Sequence, residues 1–453
     1  MLKQKMRIIK IGINGEGIGY VNKIPVFVKG ALVDELVEIE ILENFGSYMK
    51  AKTVRVIEKS PFRVKPRCSL SEKCGGCSMM ICDYKKQLEY KKELLRETLK
   101  KYANIDGSII EDVVPNPTPF NYRNQCKLPV KWLKGTLYSC MYEANSSCLV
   151  YMDDCQVHEK GLDKTRMAIM KVLNKYGFRD YNDQIERGIR TIVLRGFDGK
   201  YQCTLVTGKM KIEEEVIEEI MNIEGVKSLY QSVNISKRNI ETFGKEFIHL
   251  GGTKTLELKI DGIVLRLSPA SFFQLNLEQA KNLYKTAISL LEPCGTLVEA
   301  YSGIGAISLL AKDKTENVIG IEFVRDAVKN ANNNARLNHC EDKVKFISGD
   351  AGEEMKYIAK KGDIDALIVD PPRAGLDEAM IENILRARPK QVIYISCNPA
   401  TLGRNLNDLL DRYDIKRIIP FDMFSQTPLQ EAKKLEKESL LPVHQAILDV
   451  LTS

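Results

Sequence analysis

The second half of this chain is a series of short apolar strands separated by helical stretches, and that alternation restricts the fold more than any other feature. From about residue 261 onward, Val- and Ile-rich runs (TLVEA, NVIGIEF, KVKFIS, IDALIVD, QVIYISC and IKRIIPF) alternate with segments of helical periodicity. Near-continuous apolar runs of this length belong to strands buried on both faces, and strands that alternate with helices join through βαβ crossovers. The expected class is therefore α/β, with a Rossmann-like, doubly wound parallel sheet over residues 261–453. Ligands of such sheets bind beyond the carboxyl ends of the strands, so the residues following each run are the candidates for chemistry.

Ahead of this region the patterning differs. Residues 5–58 read as short strands, MRIIKIGI, GEGIGYV, VFVKG, LVEIEIL and AKTVRVIE, separated by glycine or polar turns, which is the signature of a small β-barrel. A basic linker, SPFRVKPRC, leads to a charged helix over 83–102 with Leu88, Leu95 and Leu99 on one face, and then to the loop VPNPTPFNYRN. From about 125 to 260, strands such as TIVLRGF and QCTLVTG mix with a helix over 212–223, an α+β pattern. Three domains are expected: an OB-like barrel over 1–60, an α+β central domain over 61–260 and the α/β domain over 261–453.

Composition sets the outer limits. With 453 residues, 44% hydrophobic and 28% charged, the chain can bury substantial cores, which excludes collagen-like, disordered and small disulfide-stapled classes. No run approaches the roughly 18 apolar residues that cross a bilayer, and the N-terminus lacks the apolar region of a secretory signal. A cytoplasmic monomer without membrane contact is expected. Residues 1–100 hold 20 Lys/Arg against 12 Asp/Glu, whereas the remainder holds 47 against 48. A basic surplus confined to one end is the footprint of a phosphate-backbone partner, or equally a solvated lysine-rich face.

Three motifs fall where strands end. EAYSGIGAISLLA (299–311) places Gly303 and Gly305 after a strand, where the backbone turns tightly against a nucleotide-like ligand. Ser308 stands where a dinucleotide fingerprint needs its third glycine, so an adenosyl ligand without a pyrophosphate fits better. Glu322, ending the next strand, is placed to accept from ribose hydroxyls, and Asp350, ending KFISGD, to meet an adenine edge. In VDPPRAG (369–375), Asp370 ends a strand beside two stiffening prolines, and Arg373 replaces the aromatic residue that amine methyltransferases carry there. In QVIYISCNPATLGRNL (391–406), Cys397 ends a strand before a Pro-containing turn. Such a cysteine is either an inert core residue or a nucleophile at the cofactor cleft.

Twelve cysteines in a cytoplasmic chain argue for thiols, metal ligation or catalysis rather than disulfides. Cys68, Cys74 and Cys77 lie close enough in sequence to share a metal site, although spacing alone does not separate zinc from an iron–sulfur cluster. The four histidines, His158, His249, His339 and His444, stand in no catalytic or zinc motif and read as structural or surface residues.

Over essentially its whole length the sequence resembles the RNA uridine-5-methyltransferases that use S-adenosylmethionine. The barrel is similar to a TRAM domain, 60–92 to the family's cluster-binding segment, and SPASFFQLN, EAYSGIG, VDPPRAG and YISCNPATLGRNL to its catalytic motifs in their usual order. The nearest resemblance is to the iron–sulfur branch acting on 23S ribosomal RNA. It implies a [4Fe–4S] cluster on Cys68, Cys74, Cys77 and Cys155, with Cys82 and Cys148 as nearby alternatives for the fourth position. It further implies Cys397 as the thiolate that adds to uracil C6, Glu431 in FSQTPLQEAKKL as the base, and Gln274, Tyr301, Glu322 and Asp370 at the cofactor. Around Glu431, Ser425, Pro428, Leu429 and Gln430 depart from the family's usual FPQTSHVE pattern. A transfer-RNA substrate, cytosine-5 methylation and a catalytically idle RNA-binding protein on this fold are the other readings.

Overall fold

The computed structural model describes residues 3–144, 146–237, 242–362, 364–428 and 445–452. Strands β1 (Lys3–Arg7), β2 (Lys10–Ile11), β3 (Gly17–Val21), β4 (Ile24–Lys29), β5 (Leu36–Asn44) and β6 (Met49–Glu58) form a sheet in the order β1-β5-β6-β4-β3-β2. The expected first run is broken into β1 and β2. Alternation sets which side chains point inward: Val37 and Ile39 join Ile8, Val26 and Val28 in the core, while Glu38 and Glu40 face outward. Glu35 is fully buried and anchors the basic linker, accepting from Arg63 at 2.7 Å and from the Leu32 amide at 2.9 Å.

Helix α1 (Tyr84–Ala103) starts at Asp83, whose carboxylate accepts from the Lys85 and Lys86 amides, and it ends at a left-handed Asn104. Its buried face differs from the expected one. Leu95 and Leu99 are inside, but Leu88 is half-buried, and Gln87 and Lys91 are buried in its place. Apolar periodicity misses these two because each is polar and finds polar partners inside. Lys91 pairs with Asp422 at 2.6 Å, and both are almost completely buried.

The central sheet has the order β13-β12-β11-β10-β7-β8-β9. Its strands are β7 (Gln125–Leu133), β8 (Thr136–Tyr142), β9 (Leu149–Tyr151), β10 (Ile189–Phe197), β11 (Lys200–Thr207), β12 (Val226–Val233) and β13 (Phe247–Gly252). Helices α2 (Lys160–Lys175) and α3 (Glu214–Met221) share one core with it. A hairpin, β14 (Leu256–Ile260) and β15 (Ile263–Leu267), follows, and both its strands pack into the same core as α4 (Leu277–Leu290).

The last sheet runs β18-β17-β16-β19-β20-β22-β21. Strands β16 (Cys294–Ala300), β17 (Thr315–Glu322), β18 (Val344–Ser348), β19 (Ala366–Val369) and β20 (Gln391–Ser396) are parallel. Between them lie α5 (Ala306–Ala311), α6 (Arg325–Leu337), α7 (Ala351–Lys361) and α8 (Glu378–Ala387), with α9 (Pro399–Leu409) after β20. The run IKRIIPF lies in β21 (Tyr413–Phe421), which joins the sheet through β22 (Gln445–Thr452), a strand antiparallel to both its neighbours. The α/β class with a doubly wound sheet holds, and the strand order reverses around β16, which opens a crevice at its carboxyl end. Helix α9 packs on α1 at Gly403, where a Cβ would approach that of Tyr102 to 2.8 Å. Among the described residues, no helix is long and apolar enough to cross a membrane.

Removing Lys91 leaves a carboxylate buried without its counter-charge. Lys91→Met is expected to lower the free energy of urea unfolding by about 3–5 kcal/mol. Lys92→Met, which breaks only a solvent-exposed pair with Asp112, should change it by about 0.5 kcal/mol or less. Equal shifts for the two variants would contradict this account of the buried pair.

Candidate functional site

The glycine turn after β16 is built by positive backbone angles at Tyr301 (φ 66°), Gly303 (54°) and Gly305 (84°). Gly305 has no room for a side chain, since a Cβ would sit 2.3 Å from the Phe346 ring. Both Glu322 carboxylate oxygens are engaged: one accepts from the Gly303 amide at 3.0 Å, the other from the Val324 amide at 2.8 Å. The end of β17 is thus tied to the turn after β16. Asp350 is exposed and caps α7 through the Glu353 amide at 3.2 Å.

Deeper in, Glu299 is buried and accepts from both the amide and the hydroxyl of Ser308. Burial pushes its pKa up to about 8 against those hydrogen bonds, and the nearby Asp370 and Glu322 carboxylates add to the rise. The Ser302 hydroxyl, in the glycine turn, is buried without a hydrogen-bond partner. The Gln274 side chain bonds to Tyr284, which itself feels the charges of Asp370 and Glu299. The loop leading to Gln274 is held from the central sheet. Arg195 donates to the Ser271 carbonyl at 2.5 Å, and Asn124 donates to the Gln274 carbonyl at 3.0 Å.

Cys397 lies between β20 and α9. Asn398 caps α9 through the Ala400 amide at 3.1 Å, and its Nδ2 donates to the Arg373 carbonyl at 3.0 Å. Asn405 reinforces this stitching, accepting from the Leu376 amide at 2.9 Å and donating to the Leu376 carbonyl at 3.0 Å. The VDPPRAG and SCNPATL turns are therefore one unit, with Cys397 close enough to Asp370 and Arg373 to feel both charges. Burial pushes the Cys397 thiol up to about 12; Asp370 adds to this and Arg373 opposes it. Gln274, Tyr301, Glu322, Asp370 and Cys397 all fall at the carboxyl edge of the parallel sheet or on the loops over it. Glu431 lies outside the described residues.

A second cavity is lined by Cys68, Cys74, Cys77 and Cys155 together with apolar side chains that include Leu70, Met80, Met141 and Met152. All twelve cysteines are free thiols. The Cys77 thiol is pushed well above its ordinary pKa by burial and by Cys155, Cys74 and Cys68. Cys82 is buried, with its thiol pushed up to about 12, and Cys148 is exposed; neither lines the cavity. Among the described residues no three His, Cys, Asp or Glu side chains close around a single ion. Four thiols around one cavity are a donor set that either a zinc ion or an iron–sulfur cluster accepts. His158, read from the sequence as an ordinary residue, is buried here and bonds Asp163 at 3.0 Å. Burial disfavours its charge, but Cys155 and Asp163 outweigh burial and hold its pKa at about 9. No sequence motif signals it.

The family model described as tRNA (Uracil-5-)-methyltransferase matches residues 83–438, and the TRAM domain model matches residues 4–54. A Lactobacillus johnsonii protein named as an uncharacterized RNA methyltransferase is 37% identical over 444 residues, covering 95% of this chain and 96% of that one. A Bacillus cereus protein of the same description is 34% identical over 432 residues, 93% of each chain. Among solved structures, Pyrococcus abyssi tRNA (uracil-54, C5)-methyltransferase in complex with S-adenosyl-L-homocysteine is similar over 99% of this chain and all of that one, with a TM-score of 0.76 and 24% identity. That likeness is one of fold.

A thiol at about pKa 12 is protonated throughout the neutral range, so its thiolate fraction rises about tenfold per pH unit. Alkylation of Cys397 by iodoacetamide in the free protein, followed by mass spectrometry of its peptide, is expected to accelerate accordingly between pH 7 and 9. A plateau inside that window would show that the thiol is already activated.

Proposed function

The chain belongs to the tRNA (uracil-5-)-methyltransferase family and carries a TRAM domain, and from that premise we propose that it methylates carbon 5 of a uridine in 23S ribosomal RNA through a covalent bond from Cys397 to C6. The observation that carries this reading is the joined pair of turns that keeps Cys397, Asp370 and Arg373 together beside the glycine turn.

C5 of uracil is a weak nucleophile. Addition of the Cys397 thiolate to C6 breaks the C5=C6 double bond and leaves electron density on C5. Gln274, Tyr301, Glu322, Asp350 and Asp370 would hold S-adenosylmethionine, which would supply the methyl group to C5 as its S–CH3 bond breaks and leave as S-adenosylhomocysteine. Glu431 then takes the C5 proton, the double bond re-forms, and the thiolate leaves. The target base must leave its stack to reach this crevice, which costs a few kcal/mol and favours loops over duplex. The basic TRAM barrel suits the flanking phosphates. Cys68, Cys74, Cys77 and Cys155 would hold a [4Fe–4S] cluster, whose four cysteine ligands their shared cavity suits. Transfer RNA is the other substrate to test, because the family model and the Pyrococcus protein both carry that substrate in their names.

Mapping 5-methyluridine in ribosomal and transfer RNA from a deletion strain decides the substrate; loss from 23S ribosomal RNA, at one site or two, is expected, and loss confined to transfer RNA overturns that choice. Cys397→Ala should abolish 5-methyluridine formation, and Glu431→Gln should accumulate a protein–RNA adduct stable on a denaturing gel. The purified protein is expected to be brown. Cys74→Ser should lose that colour while Cys82→Ser keeps it; the reverse result would reassign the ligands.

A further inference from the structure

The turn after β21 carries no residue assigned to the chemistry, yet Asp422, Ser425, Gln426 and Thr427 are all buried. Gln426 adopts a left-handed backbone (φ 70°), an arrangement that a glutamine keeps only where its surroundings impose it. Those surroundings are the cysteine segment and the helix after it. Gln87 on α1 accepts from the Gln426 amide at 3.1 Å, and its Nε2 lies 3.0 Å from Gln426 Oε1. The same Nε2 reaches the Met79 carbonyl at 3.1 Å and the Cys82 carbonyl at 2.9 Å, closing the end of the cysteine segment. The Met79 amide, two residues beyond Cys77, donates to the Gln426 carbonyl at 3.0 Å. Thr427 lines the cysteine cavity itself. The backbone and side-chain amide of Gln426 are thus bonded to residues 79–87, and Glu431 follows five residues later in the sequence.

We propose that Gln87 and Gln426 form a positioning clamp through which the cysteine segment, folded around its thiols, fixes where the chain departs toward Glu431. The clamp therefore serves removal of the C5 proton and not the earlier attack by Cys397. This inference rests on the reading of Glu431 as the base. Neither glutamine is given a catalytic role: their side chains bond to each other, to the Met79 and Cys82 carbonyls and to the Pro119 carbonyl, and both act through the segment they hold.

Gln87→Met keeps the volume and removes the four hydrogen bonds of the Gln87 side chain, leaving the bond from the Met79 amide to the Gln426 carbonyl. The test uses the full-length protein with protein-free ribosomal and transfer RNA from the deletion strain, and with the same RNA carrying 5-fluorouridine. Fluorine at C5 leaves no proton to remove, so the fluorinated adduct reports attack and methyl transfer alone. The Gln87→Met protein is expected to keep its visible absorbance and to form the fluorinated adduct within about twofold of the wild-type rate. On natural RNA it should turn over at least tenfold more slowly and accumulate adduct. Gln426→Ala should behave alike, and the double variant should be no worse than either single one. Unchanged turnover overturns the clamp, as does an equal loss of fluorinated adduct and turnover, which marks a merely structural role. Glu431→Gln run in parallel separates the two readings. If it traps adduct while Gln87→Met turns over normally, the clamp alone fails. If it releases product at the wild-type rate, the base assignment fails and takes the clamp with it.

Discussion

The ion pair between Lys91 and Asp422 joins the two halves of the molecule at one point, and much of the architecture is arranged around it. Taking both charges out of water is costly, and burial alone pulls the Lys91 ammonium below its ordinary pKa against the opposing pull of Asp422. The pair is supported by further hydrogen bonds on both partners. Lys91 also donates to the Phe424 carbonyl at 3.2 Å, and Asp422 accepts from Tyr84 and Ser425, each at 2.7 Å. Apolar residues of the same size would pack there at no greater cost. What they would not supply is direction, because the hydrogen bonds of the pair, with those of Tyr84 and Gln87, orient α1 against the end of β21.

That direction matters because the two candidate sites share a connector. The stretch 114–124 runs beside the end of β21, with the Val114 amide donating to the Pro420 carbonyl at 2.8 Å and the Asp422 amide to the Val114 carbonyl at 3.1 Å. Asn116 then bonds the Ser425 hydroxyl at 3.0 Å, and Tyr122 donates to the Ser425 carbonyl at 3.0 Å while lining the cysteine cavity. Asn124, at the end of the stretch, holds Gln274 from the other side. A displacement of this connector would be felt at both the cysteine cavity and the sheet edge.

The sequence made the parallel sheet readable because its strands are local apolar runs whose period needs no knowledge of distant partners. The same holds for the ends of α1, where Asp83 caps locally. What escaped is non-local. Gln87 and Lys91 interrupt an apolar stripe, and only their partners at 422 and 426, more than 300 residues away, explain them. Strand β22 was not separable from its surroundings by pattern, although it completes the sheet between β20 and β21. The glycine turn, Asp370 and Cys397 could be singled out because residues at a strand end leave a local motif, and the structure places them at the carboxyl ends of β16, β19 and β20. His158 leaves none, since its meaning comes from the fold that sets it against Cys155.

The electrostatics of the crevice tie these elements to the reaction. Glu299, Glu322 and Asp370 place carboxylates around the turn, and Asp370 raises the thiol that the proposed reaction needs as an anion. Taken alone this is a poor site for a nucleophile, since burial and Asp370 both favour the protonated thiol. A cation brought among these carboxylates opposes their effect, because it stabilises their charges and lowers the cost of ionising the cysteine, as Arg373 already does in part.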